Sequence, residues 1–145
     1  MANVLEGQYQ KHLCQKYVIL LPVCCFTLCG IHFAIWDLFT KGILNKKAQN
    51  KFISVPGVFE IPVVIAKNIK RYDGFVALGC VIKGETPHFE FISSATTNAI
   101  MKLSIDYKKP IGNGIITCLN MKQAVVRSET KGQEAAKAVL SVLGY

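Results

Sequence analysis

Hydrophobic and polar positions change period several times along the chain, and each change marks an element. Tyr17 to Leu21 is a short apolar run with the character of a buried strand. From Gly30 onward Ile31, Ala34, Ile35 and Leu38 recur at helical spacing. Lys51 to Val55 predicts a second strand, and Pro56-Gly57 a turn. Phe59 to Arg71 then predicts a helix, with Pro62 tolerated in its first turn. Phe75 to Ile82 is a continuous apolar run, the pattern of a strand covered on both faces of a parallel sheet. It breaks at Lys83-Gly84. Thr86 is the expected N-cap of the next helix and Pro87 its first residue, where a missing N–H costs nothing. Phe89, Ile92, Ala95, Ala99, Ile100 and Leu103 form that helix's apolar stripe. Gly114 to Leu119 predicts a fourth strand. Asn120 with Gln123, and Thr130 with Gln133, predict capping boxes opening two more helices. The last helix has Ala135, Ala138, Val139 and Val142 as its expected buried face, with Gly144 suited to its C-terminal cap.

Four predicted strands alternating with helices imply right-handed crossovers and a parallel sheet. The expected fold is an α/β, three-layer, flavodoxin-like domain: a four-stranded parallel sheet with helices on both faces. A single domain over 1–145 is expected, with residues 1–16 as an N-terminal arm. All strand-to-helix turns (Val23–Gly30, Pro56–Phe59, Lys83–Thr86 and Asn120) then emerge on one edge. Ligands bind at that edge in open α/β sheets. Tyr17 to Phe39 has no charge before Asp37 and is long enough to suggest a membrane span. Pro22 and Gly30 divide it, however, and its halves differ in period, which favours strand, turn and helix over a spanning segment.

Composition alters this picture in three ways. At 145 residues, 51% of them hydrophobic, and a mean hydropathy of +0.32, the chain has apolar surface to spare for subunit interfaces. The net charge of +8 comes from scattered lysines without a nucleic-acid-binding motif, so no nucleic-acid partner is expected. Of six cysteines, Cys80 and Cys118 fall in predicted core strands, where a thiol packs as a small hydrophobe. No CxxC pair is present and Cys25-x3-Cys29 lacks a partner pair, so neither a zinc site nor a disulfide framework is expected. Reduced thiols point to a cytoplasmic location.

The chemistry concentrates at GETPH, residues 84–88. Free N–H groups and the dipole at a helix start favour an anion, commonly phosphate. Histidine is the side chain whose charge changes near working pH, so His88 beside it suits proton transfer, although a histidine at a helix start is often only a solvated polar residue. Glu60 either simply favours a helix dipole or accepts from a polyol or amine. Phe59 either packs in the core or stacks on a ring. Arg127 and Lys131 are either solvated or phosphate-directed, and an arginine can fork onto a phosphate.

Beyond these residues the chain resembles the lumazine synthase family, which acts at the penultimate step of riboflavin biosynthesis. VPGVFEIP (55–62), YDGFVALGCVIKGETPHFEF (72–91) and GIITCLNMKQAVVR (114–127) carry the resemblance, and KGQEAA (131–136) does so more weakly. It implies condensation of 5-amino-6-(D-ribitylamino)uracil with 3,4-dihydroxy-2-butanone 4-phosphate to give 6,7-dimethyl-8-ribityllumazine. By the same resemblance, Val58, Phe59 and Glu60 hold the ribityl chain and ring, and Cys80, Val81 and Ile82 line the pyrimidine. Glu85 and Thr86 bind the phosphate, Arg127 closes on it from a neighbouring subunit with help from Lys131, and His88 moves protons. No metal or organic cofactor is implied. A homopentamer is, with a 60-subunit shell of pentamers as the other assembly of the family. Two positions depart from the family. Cys24 stands where an aromatic usually stacks on the substrate ring, and Asn113 stands where Phe or His is common, though its amide can still bond the pyrimidine. The alternative reading is a non-catalytic relative that holds a lumazine or flavin or builds a shell.

Overall fold

The computed structural model describes residues 16–22 and 49–144. Residues 1–15 of the expected arm, the Ile31–Leu38 helix and Cys24 lie outside the described residues, while Lys16 opens the first strand. Strands β1 (Lys16–Pro22), β2 (Gln49–Val55), β3 (Gly74–Ile82) and β4 (Ile111–Cys118) form one sheet in the order β2-β1-β3-β4. Every neighbouring pair is parallel. Lys16–Pro22 thus lies inside a sheet, which takes the first part of the apolar Tyr17–Phe39 segment away from any spanning helix. Among the described residues no helix is long and apolar enough to cross a membrane.

Helices α1 (Ile61–Asn68), α2 (His88–Tyr107), α3 (Met121–Ser128) and α4 (Lys131–Val142) follow the strands. Because side chains alternate along a strand, β3 feeds a core on each face. Phe75 and Ala77 join Val55, Val58, Ile61, Ile65, Ile69 and Ile100, on the α1 and α2 side. Val76 and Leu78 join Ala135, Ala136 and Val139 of α4 on the other, where Ile116 and Cys118 also pack against Ala124 of α3. Side chains such as Phe75, Ile61 and Ile65 are completely enclosed, and each stabilises the fold by about 1.5–3 kcal/mol. The α4 side is packed closely enough to require glycine. A Cβ on Gly112 would sit 2.2 Å from the carbonyl oxygen of Ala135.

Several expected details differ. The Phe59–Arg71 helix divides into a 3-10 turn, Val58–Glu60, and α1, with Pro62 in the first turn of α1. The fourth strand starts three residues earlier than Gly114, because β3 continues pairing back to Ile111. On α2, Ala95 is exposed and Thr96 takes the buried position. On α4, Ala138 and Val142 face outward, and Ala136 packs with Ala135 and Val139 instead. Apolar identity alone did not separate neighbouring stripes on either helix. Thr130 makes no side-chain cap, because only Glu129 separates it from α3 and its backbone stays helical (φ −118, ψ −30) instead of the extended form a cap needs. Gly144, at φ +89, adopts the left-handed conformation expected after α4. Lys108 does the same after α2 at φ 52, an uncommon role for a residue with a side chain.

Candidate active site at the carboxyl edge of the sheet

Two segments meet on the α1 and α2 side of this edge. After β2, Gly57 is extended (φ −153, ψ 177) and leads into the 3-10 turn. Glu60 Oε2 lies 2.9 Å from where a Gly57 Cβ would stand, so the carboxylate turns back over the turn and is half-buried. Val58 is buried, while Phe59 is 57% exposed, leaving an aromatic face open to stack on a ligand. After β3 comes the second segment, Lys83–Pro87. The Lys83 N–H donates to the Cys118 carbonyl at 2.8 Å, which fixes the turn's origin against β4. Glu85, Thr86 and His88 are all exposed.

Helix α2 begins at His88 with Pro87 as its N-cap, and no side-chain cap bond is made. Thr86 is therefore one residue too early to be the cap. Pro87 has φ −65 and ψ 0, so the chain is already curling at that point. The first N–H groups of α2 remain available at the edge, as an anion site needs. A 2.8 Å ion pair from Lys83 Nζ to Glu90 Oε1 spans the turn. That ammonium is the largest influence holding the Glu90 carboxyl below its usual range.

Thr96 is the residue that sequence reasoning missed. It is 2% exposed, and its hydroxyl donates to the Val58 carbonyl at 3.5 Å. The turn after β2 is thereby tied to the middle of α2. The available signal was a hydroxyl falling midway between Ile92 and Ile100 on one helical face.

Other expected residues are distributed differently. Val81 is partly buried against the α1 and α2 core, and Ile82 stands at the strand's exposed end. Cys80 points the other way, against Ile116, Cys118 and Ala124. The expected lining of Cys80, Val81 and Ile82 is thus split between the faces by strand alternation. Arg127 rides in the last turn of α3, with Nη1 4.0 Å from the Cys118 sulfur. Lys131 Nζ is 3.4 Å from Glu134 Oε2. Asn113 sits in mid-strand on β4, exposed, and its Oδ1 accepts from the Ile115 N–H at 3.1 Å. Among the described residues no group of three or more His, Cys, Asp or Glu side chains could hold a metal. A groove of about 380 Å³ opens at the opposite end of the sheet, between Lys108, Pro110, Gly112 and Val139. Its lining is mainly apolar and includes none of the candidate residues.

Comparison with known proteins bears directly on this edge. A family model described as 6,7-dimethyl-8-ribityllumazine synthase matches residues 34–144. The synthase of that name from Bartonella henselae is 40% identical over 139 residues, covering 90% of this chain and 89% of its own. The chain belongs to the lumazine synthase family. A Verminephrobacter eiseniae lumazine synthase is 37% identical over 73% of this chain and 69% of its own. One from Corynebacterium kroppenstedtii is 43% identical over 64% and 62%. The segment matched to the lumazine synthase family contains every candidate residue named above except Cys24.

Proposed function

We propose that the chain condenses 5-amino-6-(D-ribitylamino)uracil with 3,4-dihydroxy-2-butanone 4-phosphate, releasing phosphate and water and forming 6,7-dimethyl-8-ribityllumazine in riboflavin biosynthesis. The observation that carries this reading is the open start of α2, with His88 as its first residue, in a chain of the lumazine synthase family. Phosphate sits on Glu85, Thr86 and the free N–H groups of α2. The aminopyrimidine lies against Val58, Phe59 and Glu60 and the end of β3 at Cys80, Val81 and Ile82. Its amino group attacks the ketone to form an imine and release water. His88 then passes protons as phosphate leaves and the second ring closes with loss of water.

The site is shared between subunits of a homopentamer. Two observations support this: Arg127 and Asn113 lie on elements other than those carrying His88 and Phe59, and α2 exposes Phe91, Met101 and Ile105 (69, 59 and 67%). These apolar side chains fit a subunit interface, with Arg127, Lys131 and Asn113 supplied by the neighbour. The 60-subunit shell is the larger assembly compatible with this arrangement. The domain is flavodoxin-like. The location is cytoplasmic, in keeping with the free thiol of Cys118. Incubation with both substrates should develop lumazine fluorescence, with release of one phosphate per lumazine. A protein that binds both substrates and yields no lumazine would overturn the reading.

A further inference from the structure

The proposed phosphate turn is held only at its ends. At one end the Lys83 N–H is bonded to Cys118, and at the other the Glu90 and Phe91 N–H groups are bonded to the Pro87 carbonyl. Within the described residues Gly84, Glu85 and Thr86 make no hydrogen bond, and nothing lies within 4 Å of where a Gly84 Cβ would be. The Lys83–Glu90 ion pair crosses from the end of β3 to the first turn of α2, at 2.8 Å between half-exposed side chains. A carboxylate in a first helical turn already gains from the dipole and needs no partner. That of Glu90 nevertheless reaches back over the turn to Lys83, with Ser94 standing at its helical i+4 position.

We propose that Lys83 and Glu90 are positioning residues, a strap that sets the opening of the Gly84–Pro87 turn and so the aim of its N–H groups at the substrate's phosphate. This rests on the function proposed above. Its logic gives an unusual sign. Removing the Glu90 charge makes the surroundings more positive, so Coulomb's law alone predicts tighter phosphate binding. Loss of a strap predicts weaker binding, because the donors are no longer held in place.

A double-mutant cycle separates the two. Inorganic phosphate binding is measured by titration calorimetry on the assembled protein, and KM is measured for each substrate. Glu90→Gln and Lys83→Gln should each raise the phosphate Kd and the ketone KM roughly three- to fivefold, the scale of a well-formed exposed pair. Lys83→Gln/Glu90→Gln should be no weaker than either single variant, and Lys83→Arg should behave as wild type. The KM of the aminopyrimidine should not move, and the unfolding midpoint should fall only slightly. Tighter or unchanged phosphate binding in Glu90→Gln overturns the strap. So do additive effects in the double variant, or a wild-type protein that does not bind phosphate. If phosphate binds but no lumazine forms, the proposed function falls while the cycle still tests the strap.

Discussion

Helices α2 and α3 start at the same edge of the sheet, from adjacent parallel strands, and their first turns are finished in opposite ways. At α3, Asn120 is extended (φ −154, ψ 170) and its Oδ1 accepts from the Gln123 N–H at 3.1 Å. Gln123 Oε1 in turn accepts from the Leu119 N–H at 3.0 Å, one residue before the position an ordinary capping box would use. At α2, Pro87 occupies the cap and no side chain closes the turn. An exposed helix start that satisfies its own donors is a structural joint. One that leaves them open, with a histidine as its first residue, has donors to spend on a ligand. Both starts carry a plausible N-cap residue in sequence, Thr86 and Asn120. The difference arises from Pro87, whose ring sets φ near −65 and brings the chain into the helix one residue after Thr86.

The contrast is best tested by damaging each start in turn. His88→Ala at the open start should lower kcat by about a hundredfold, the low end for one proton-transfer group, with both KM values nearly unchanged. A raised KM with normal kcat would mean that His88 only binds. Arg127, carried by the helix with the closed start, is expected to reach a phosphate on the neighbouring subunit. Arg127→Ala should weaken the phosphorylated ketone roughly tenfold or more, the scale of a hydrogen bond to a charged group, and leave the aminopyrimidine Kd alone. Mixing it with His88→Ala subunits should restore part of the activity, because some interfaces then carry neither lesion. No restoration from reassembled mixtures would place each site within one subunit.

Asn120→Ala at the closed start should cost about 1 kcal/mol of stability, the usual loss of an N-cap. It should leave kcat/KM within twofold below the unfolding transition. Thr86→Ala at the open start should do the reverse: no change in denaturant midpoint, and a raised KM for the ketone. If Thr86→Ala destabilises as much as Asn120→Ala, the two starts are the same kind of joint.

The smallest expected effect is on pH dependence. The Glu90 carboxyl titrates below its usual range in the folded chain because of Lys83. Its stabilising contribution is therefore complete above the unfolded value and fades as the pH falls through the folded one. Acid unfolding of wild type and Glu90→Gln should converge at low pH, with wild type slightly the more stable above the carboxylate range. A gap that widens on acidification would show that Lys83 is not the cause.

Much of the fold was legible because its signals are local. A continuous apolar run such as Phe75–Ile82 has one sensible reading, and Asn120 caps the Gln123 N–H as expected. Helix faces were harder. Ala95 and Thr96 are adjacent on α2, and the smaller, more apolar residue was the natural choice for the core. Packing placed Thr96 inside, where its hydroxyl finds the Val58 carbonyl.

By itself the sequence determined the strand and helix order described here, the edge where GETPH emerges and, through its motifs, the family. Tertiary structure alone decided which residues share a surface. Cys80 and Val81 are neighbours in the chain and lie on opposite faces of the sheet. Val58 and Thr96, 38 positions apart, are bonded, and the Lys83 side chain reaches across the turn to Glu90. Periodicity reports how a side chain is directed relative to its own backbone. Whether another segment waits there depends on how the layers pack, and that is written across the whole chain.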